Sequence, residues 1–220
     1  MTLRRWNRRF ALGMALLGLA CGGDGGGTTP PGPPVDLLKN PAGDNQSWYF
    51  NNPLPTALSV TAVDVDGRAV PGVVITWAVA SGGGTVTPTQ STTDANGVAS
   101  TTDSVGGSTI QMVSATFTGL AGPVSFTEHA TTPPTAAAVN VGDNFFDKAS
   151  VVVQVNHTVT WTWSGMNPHT VSFTGGPESG TPAGTPQTSG TYQRTFSSTG
   201  TFSYFCRVHG SMTGTVTVVH

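Results

Sequence analysis

Charge is scarce in this chain. Its 220 residues include nine Lys or Arg and eleven Asp or Glu. Four of the nine basic residues, Arg4, Arg5, Arg8 and Arg9, fall in the first nine positions. The other five, Lys39, Arg68, Lys148, Arg194 and Arg207, form no basic stripe, which excludes nucleic acid as a partner. Long apolar runs are lacking too. Phe10–Ala20 is apolar over 11 residues, whereas spanning a bilayer takes roughly 20. No amphipathic helical pattern stands out beyond that leader. Cysteine is nearly absent, with Cys21 and Cys206 alone. A disulfide between them would tie the leader to the far end, so each is assigned a separate job and Cys206 is left unpaired.

What is abundant is turn and strand material. The chain holds 29 Gly and 16 Pro, with Thr, Ser and Val filling much of the rest. That composition predicts short strands with many turns, an all-β protein of one or two domains.

The beginning of the chain reads as an export signal over residues 1–20. Met1–Arg9 is a positive stretch, and Phe10–Ala20 is the right length for a signal core. Leu17-Gly18-Leu19-Ala20-Cys21 then leads into a glycine-rich tract. Small residues before a cysteine, followed by a flexible tether, resemble a bacterial lipoprotein signal. The resemblance implies lipidation at Cys21, with each buried CH₂ contributing about 0.8 kcal/mol to membrane attachment. Residues 21–35 are expected to be a spacer, since Gly, Thr and Pro bury little apolar area. The protein would then be exported, at the periplasm or cell surface, and lipid-anchored to a bacterial membrane. After Cys21, five basic residues stand against eleven acidic ones, about −6.

The most informative stretch is Cys206-Arg207-Val208-His209-Gly210-Ser211-Met212. Thiol, imidazole and thioether recur at intervals of three residues. These are soft or borderline ligands, which suit copper and fit hard cations poorly. Zinc is the rival metal, but it rarely takes a thioether. A second imidazole is at hand in Asn167-Pro168-His169-Thr170-Val171. Two histidines, one cysteine and a weak axial methionine make the blue-copper ligand set. Gly200–Phe205 before the motif and Thr213–Val219 after it alternate like strands. The ligands would therefore sit on a short loop pinned at both ends, a rigid platform that suits electron transfer.

On these residues, the part from about 134 to 220 resembles a cupredoxin, the plastocyanin and amicyanin family. Thr-Phe-Ser-Tyr-Phe-Cys before the loop and Met-Thr-Gly-Thr-Val-Thr-Val after it carry the likeness. The resemblance implies a Greek-key β-sandwich holding one type-1 copper, with His169, Cys206, His209 and Met212 as ligands. It also implies that electrons pass through His209 to a redox protein partner in the cell envelope. Family members commonly carry Asn after the first histidine, where it supports the cysteine sulfur. Thr170 stands there instead, and its hydroxyl is expected to replace that role in part. His157 sits at a turn and His220 at the end of the chain, and neither is ranked as a ligand. Thr174–Gly190 reads as a long mobile loop.

Residues 36–132 read as a separate antiparallel β-sandwich. Ala57–Val63, Val73–Val79, Thr85–Thr87, Ile110–Thr118 and Val124–His129 are predicted strands, with turns at Asp64–Gly67, Ser81–Gly84 and Asp94–Gly97. Leu54-Pro55, Asp66-Gly67, Val70-Pro71-Gly72, Trp77 and Thr93-Asp94-Ala95-Asn96-Gly97-Val98-Ala99 resemble a bacterial immunoglobulin-like domain of the invasin and intimin type. In that family such domains act mostly as stiff spacers, some in adhesion. The Asp residues are taken as turn formers and His129 as a surface residue. This half carries two basic and seven acidic residues. The copper half carries three of each and is neutral, so docking is expected to rest on an apolar patch of Met166, Pro168 and Val208 around His209.

A one-electron carrier that transforms no substrate, a monomer and not an enzyme, is the expectation. Two other functions stay open: a surface interaction or adhesion lipoprotein using the first sandwich, and copper storage or sensing.

Overall fold

The computed structural model describes residues 30–220. The expected signal at 1–20, the lipidation site Cys21 and the tether up to residue 29 lie outside the described residues. The protein is all-β, as expected. Among the described residues no helix is long and apolar enough to cross a membrane.

Residues 36–131 carry nine strands: β1 (Asp36–Lys39), β2 (Ser47–Tyr49), β3 (Leu58–Val63), β4 (Val74–Ser81), β5 (Gly84–Thr87), β6 (Gln90–Thr92), β7 (Val98–Val105), β8 (Ile110–Thr116) and β9 (Val124–Thr131). They form two sheets, ordered β1-β3-β7-β5 and β2-β9-β8-β4-β6. Period-two alternation turns Ile75 and Trp77 of β4, Val113 and Ala115 of β8, and Phe126 of β9 into a shared core with Leu58, Val60 and Ala62 of β3. The expected strands are present, but β1, β2 and β6 were not foreseen. They are three or four residues long, too short to show a clear alternation in the sequence, and each pairs with a longer strand.

The aspartates divide. Asp64 Oδ1 accepts from the N–H groups of Asp66 and Arg68, and Asp94 Oδ1 from those of Asn96 and Val98. These are turn formers, as expected. Asp103 is not. It lies inside β7, only 1% exposed, and neither carboxyl oxygen has a hydrogen-bond partner. Glu128 of β9 is equally buried. Its Oε2 accepts from Gln46 N–H at 2.8 Å, and its Oε1 has no partner. Burial alone pushes Asp103 up to about 6. Burial also pushes Glu128 up to about 7, with the neighbouring charges of Asp44 and Asp103 adding to it.

Residues 136–219 carry eight further strands: β10 (Ala136–Gly142), β11 (Phe145–Phe146), β12 (Ser150–Gln154), β13 (Thr158–Trp163), β14 (Ser172–Phe173), β15 (Thr191–Thr195), β16 (Gly200–Phe205) and β17 (Thr213–Val219). Their sheets are ordered β11-β10-β13-β15 and β12-β17-β16-β14. In β13, Val159, Trp161 and Trp163 point inward and the threonines point out. Trp161 meets Tyr204 and Phe173 edge-on, at 5.3 and 5.7 Å between ring centroids. That aromatic block fills the sandwich beneath the ligand loop. Gly214 has no side chain for a local reason: a Cβ there would lie inside the Tyr204 ring.

The two sandwiches share no sheet. His220 N–H donates to Asn52 Oδ1 at 2.9 Å, and Asn52 Nδ2 reaches His220 O at 3.4 Å. This contact falls where β17 ends and β16 begins, opposite the pole that bears Cys206.

Candidate metal centre

β16 pairs with β17 in antiparallel register, from Gly200 opposite Val218 to Phe205 opposite Thr213. The seven residues Cys206–Met212 therefore close a hairpin. Its own backbone tightens it, with Cys206 N–H donating to Met212 O at 2.9 Å and Met212 N–H to His209 O at 3.0 Å. The second histidine arrives from another part of the fold. His169 follows β13 through the turn Ser164–Pro168, and the Trp163 indole N–H donates to its carbonyl at 3.2 Å.

Three of the four expected residues converge. His169 Nδ1 lies 3.7 Å from Cys206 Sγ, His209 Nδ1 lies 3.8 Å from the same sulfur, and the two ring nitrogens are 3.1 Å apart. A point equidistant from all three lies about 2.1 Å from each. That is within the range of first-row metal bonds to imidazole, and close to that for thiolate. Cys206 and His169 are buried, whereas His209 is partly open to solvent. Three electron-pair donors packed this closely in a buried place repel unless a proton or a cation sits among them. Met212 is also buried, in the same side-chain cluster as Cys206. His157 is directed elsewhere, its Nδ1 against Val155 O at 3.0 Å.

Backbone and hydroxyl groups brace the sulfur. Thr170 N–H points at Cys206 Sγ at 3.4 Å. The Thr170 hydroxyl has a different task from the one expected. It accepts from Arg207 N–H at 2.9 Å and bonds Ser172 Oγ at 3.1 Å. The hydroxyl thus staples the His169 segment to the Cys206 loop, while the main chain supports the sulfur.

The segment Thr174–Gly190, expected to be mobile, is anchored. His169 and Gln187 exchange two backbone hydrogen bonds at 2.9 and 2.8 Å. Ser179, fully buried, donates its N–H to Val171 O and accepts Val171 N–H on its hydroxyl. Glu178 forms an ion pair with Arg207. These partners were not legible because neither Gly-Thr-Pro composition nor spacing signals pairing back onto His169.

One charged residue was counted in the sequence but not placed at the site. Asp143, between β10 and β11, faces His169 Nε2 at 3.6 Å. It accepts Asn167 N–H at 2.8 Å. The N–H groups of Asn167 and Met166 hold its carboxyl below the usual value.

Residues 135–219 match the copper binding proteins of the plastocyanin/azurin family. Solved structures similar to the chain include three copper-protein relatives in name. A purple cupredoxin from Nitrosopumilus maritimus is 22% identical, aligned over 38% of this chain and 99% of that one, with a TM-score of 0.34. Amicyanin from Paracoccus versutus is 26% identical, over 40% of this chain and 85% of that one, TM-score 0.32. A mutant fern plastocyanin is 28% identical, over 37% and 99%, TM-score 0.29. No curated protein matches the chain. The family binds copper, and the His169–Cys206–His209 group fits a single type-1 copper site.

Proposed function

We propose that this protein is a one-electron carrier of the cell envelope, built around a type-1 copper centre at the tip of its second sandwich. The observation that carries the reading is the convergence of His169 Nδ1, Cys206 Sγ and His209 Nδ1 within hydrogen-bonding distances of one another. Copper held there supplies a Cu(II)/Cu(I) couple. Cys206 would hold the copper as thiolate and His169 and His209 as neutral imidazoles, and Met212 would be a thioether donor that tunes the potential.

The residues around the centre resist rearrangement, which keeps the cost of changing oxidation state small. Thr170 locks the two ligand segments together, and Thr170 N–H withdraws charge from the sulfur. His209 alone among the three is partly open to solvent and marks the way out for the electron. Met166, Pro168 and Val208 are exposed in the two ligand-bearing segments, Met166 at 88%. They offer an apolar landing surface for a redox protein. The chain acts as a monomer and catalyses no substrate conversion.

The first sandwich, in this reading, is a bacterial immunoglobulin-like spacer, and lipidation at Cys21 tethers the protein to a bacterial membrane at the periplasm or cell surface. The spacer touches the pole opposite the ligands, which suits holding the copper outward. The test is electrochemical. Copper-loaded full chain should give a reversible one-electron wave that Cys206→Ala abolishes. A wild-type protein that binds copper but does not cycle would overturn the carrier reading in favour of storage or sensing.

A further inference from the structure

His169 is fully buried, and its Nε2 has no hydrogen-bond partner. A buried donor left in that state is destabilising. The other ring nitrogen, Nδ1, is turned toward Cys206 Sγ and His209 Nδ1. A neutral imidazole that offers its Nδ1 lone pair must carry its proton on Nε2. The group facing that proton is Asp143 Oδ1, at 3.6 Å, just beyond hydrogen-bond reach.

Asp143 is held in this position by the turn that delivers His169. Asn167 N–H donates to Oδ1 at 2.8 Å. Gly165 leaves space for the same oxygen, because a Cβ at that position would overlap it. Gly165 and Ser164 are themselves bound to Val141 O, at 3.2 and 2.9 Å, on the strand that leads into Asp143. The turn, the aspartate and the ring thus form one unit. Bracing the turn needs only a hydrogen-bond acceptor. A negative charge aimed at the far side of a metal-binding imidazole is what outer-shell carboxylates provide: they fix the tautomer, aim the ring and raise its basicity.

We propose that Asp143 is a positioning residue for His169, its carboxylate holding the ring in the Nε2–H tautomer with Nδ1 aimed at Cys206 and His209. The proposal rests on the copper reading above for its functional meaning, but not for its test. Two variants of the full chain separate the roles. Asp143→Asn keeps an acceptor for Asn167 N–H and removes the charge, and Asp143→Ala removes both. Nitrogen-15 spectra of the histidine rings in the metal-free protein should show the His169 proton on Nε2 in the wild type. The Ala variant should show a mixture of tautomers. After copper loading, the Asn variant should have a higher reduction potential, since a charge favouring Cu(II) is gone. The Ala variant should bind Cu(II) about tenfold more weakly. Unchanged thermal unfolding of the Asn variant would show that the turn itself is intact. Wild-type tautomer and potential in both variants would overturn the proposal and leave Asp143 as a turn brace. If the wild type never forms a thiolate–copper band, the copper reading falls, while the metal-free spectra still decide the role of Asp143.

Discussion

The two sandwiches arrange their buried polar groups differently. In the second, the buried polar groups at the ligand pole are tied to one another: Thr170 to Arg207 and Ser172, Ser179 to Val171, His169 to Gln187. The network leaves His169 Nε2 and Gln187 Oε1 without partners, yet it brings three metal-binding atoms to one point. In the first, Asp103 and Glu128 are buried among apolar residues, and three of their four carboxyl oxygens have no partner. They converge with no histidine or cysteine, and no metal-binding group of three forms there. The lesson is that burial of polar chemistry marks a functional site only where the groups are mutually positioned. Carboxyl groups buried without that positioning mark a cost that depends on protonation.

The comparison can be broken by removing one atom's worth of space. Gly214→Ala forces a Cβ into the Tyr204 ring beneath the ligand loop. Overpacking of this kind costs about 1–3 kcal/mol. Hydrogen exchange should show faster opening of β16 and β17, with β7 and β9 unchanged. Equal loosening of both halves would mean that the sandwiches do not keep separate accounts of their packing.

A pH series sharpens the contrast. Asp103 and Glu128 have folded-state values of about 6 and about 7, above their ordinary carboxylate range. The folded state therefore binds more protons than the unfolded state between the two ranges. Their contribution is fully present below about pH 4 and is lost as pH rises through about 6 and 7. Asp44 and Asp103 add to the raised value of Glu128, while Gln46 N–H and Lys39 oppose it. Exchange from β7 and β9 should quicken, after correction for intrinsic rates, from pH 4 to 7. The double variant Asp103→Asn, Glu128→Gln should flatten that profile. A first sandwich whose stability rises with pH would contradict the assignment.

Smaller effects are expected at the ligand pole. Thr170→Val leaves Arg207 N–H without its acceptor and should cost about 1 kcal/mol. The thiolate support should survive, because it comes from the Thr170 backbone. A blue band that vanished in this variant would show that the hydroxyl matters more than the main chain. Smallest of all is the response to salt. The second sandwich has three basic and three acidic residues, and Arg207 is already paired with Glu178. Electron-transfer rates to a partner should change little with ionic strength, and a steep fall would point to charged docking instead.

Much of this was readable from residues alone. β16 and β17 have the expected limits because the flanks of the ligand loop alternate cleanly. Cys206 and His209 were nameable because their chemistry is rare and their spacing is tight, and His169 as the imidazole that completes the set. What escaped has a common cause. Asp143 lies far from His169 in the chain, and only the β10–β13 parallel pairing brings their ends together. Ser179 and Gln187 sit in a Gly- and Pro-rich stretch whose composition reads as loop, although its backbone pairs with the His169 segment. Asp103 occupies an inward strand position where a carboxylate is costly, so the sequence pattern argued against its burial. The Thr170 hydroxyl was given the task that its backbone performs, because spacing identifies a position and not which of its atoms will point at the sulfur.

The central claim is that His169, Cys206 and His209 form one type-1 copper centre. The most direct measurement is a Cu(II) titration of the full chain, followed by visible absorption and electron paramagnetic resonance. An intense thiolate-to-copper band at one copper per chain, with narrow hyperfine splitting and loss of both in Cys206→Ala, is the predicted result. A pale copper complex with ordinary splitting, unchanged by Cys206→Ala, would contradict it.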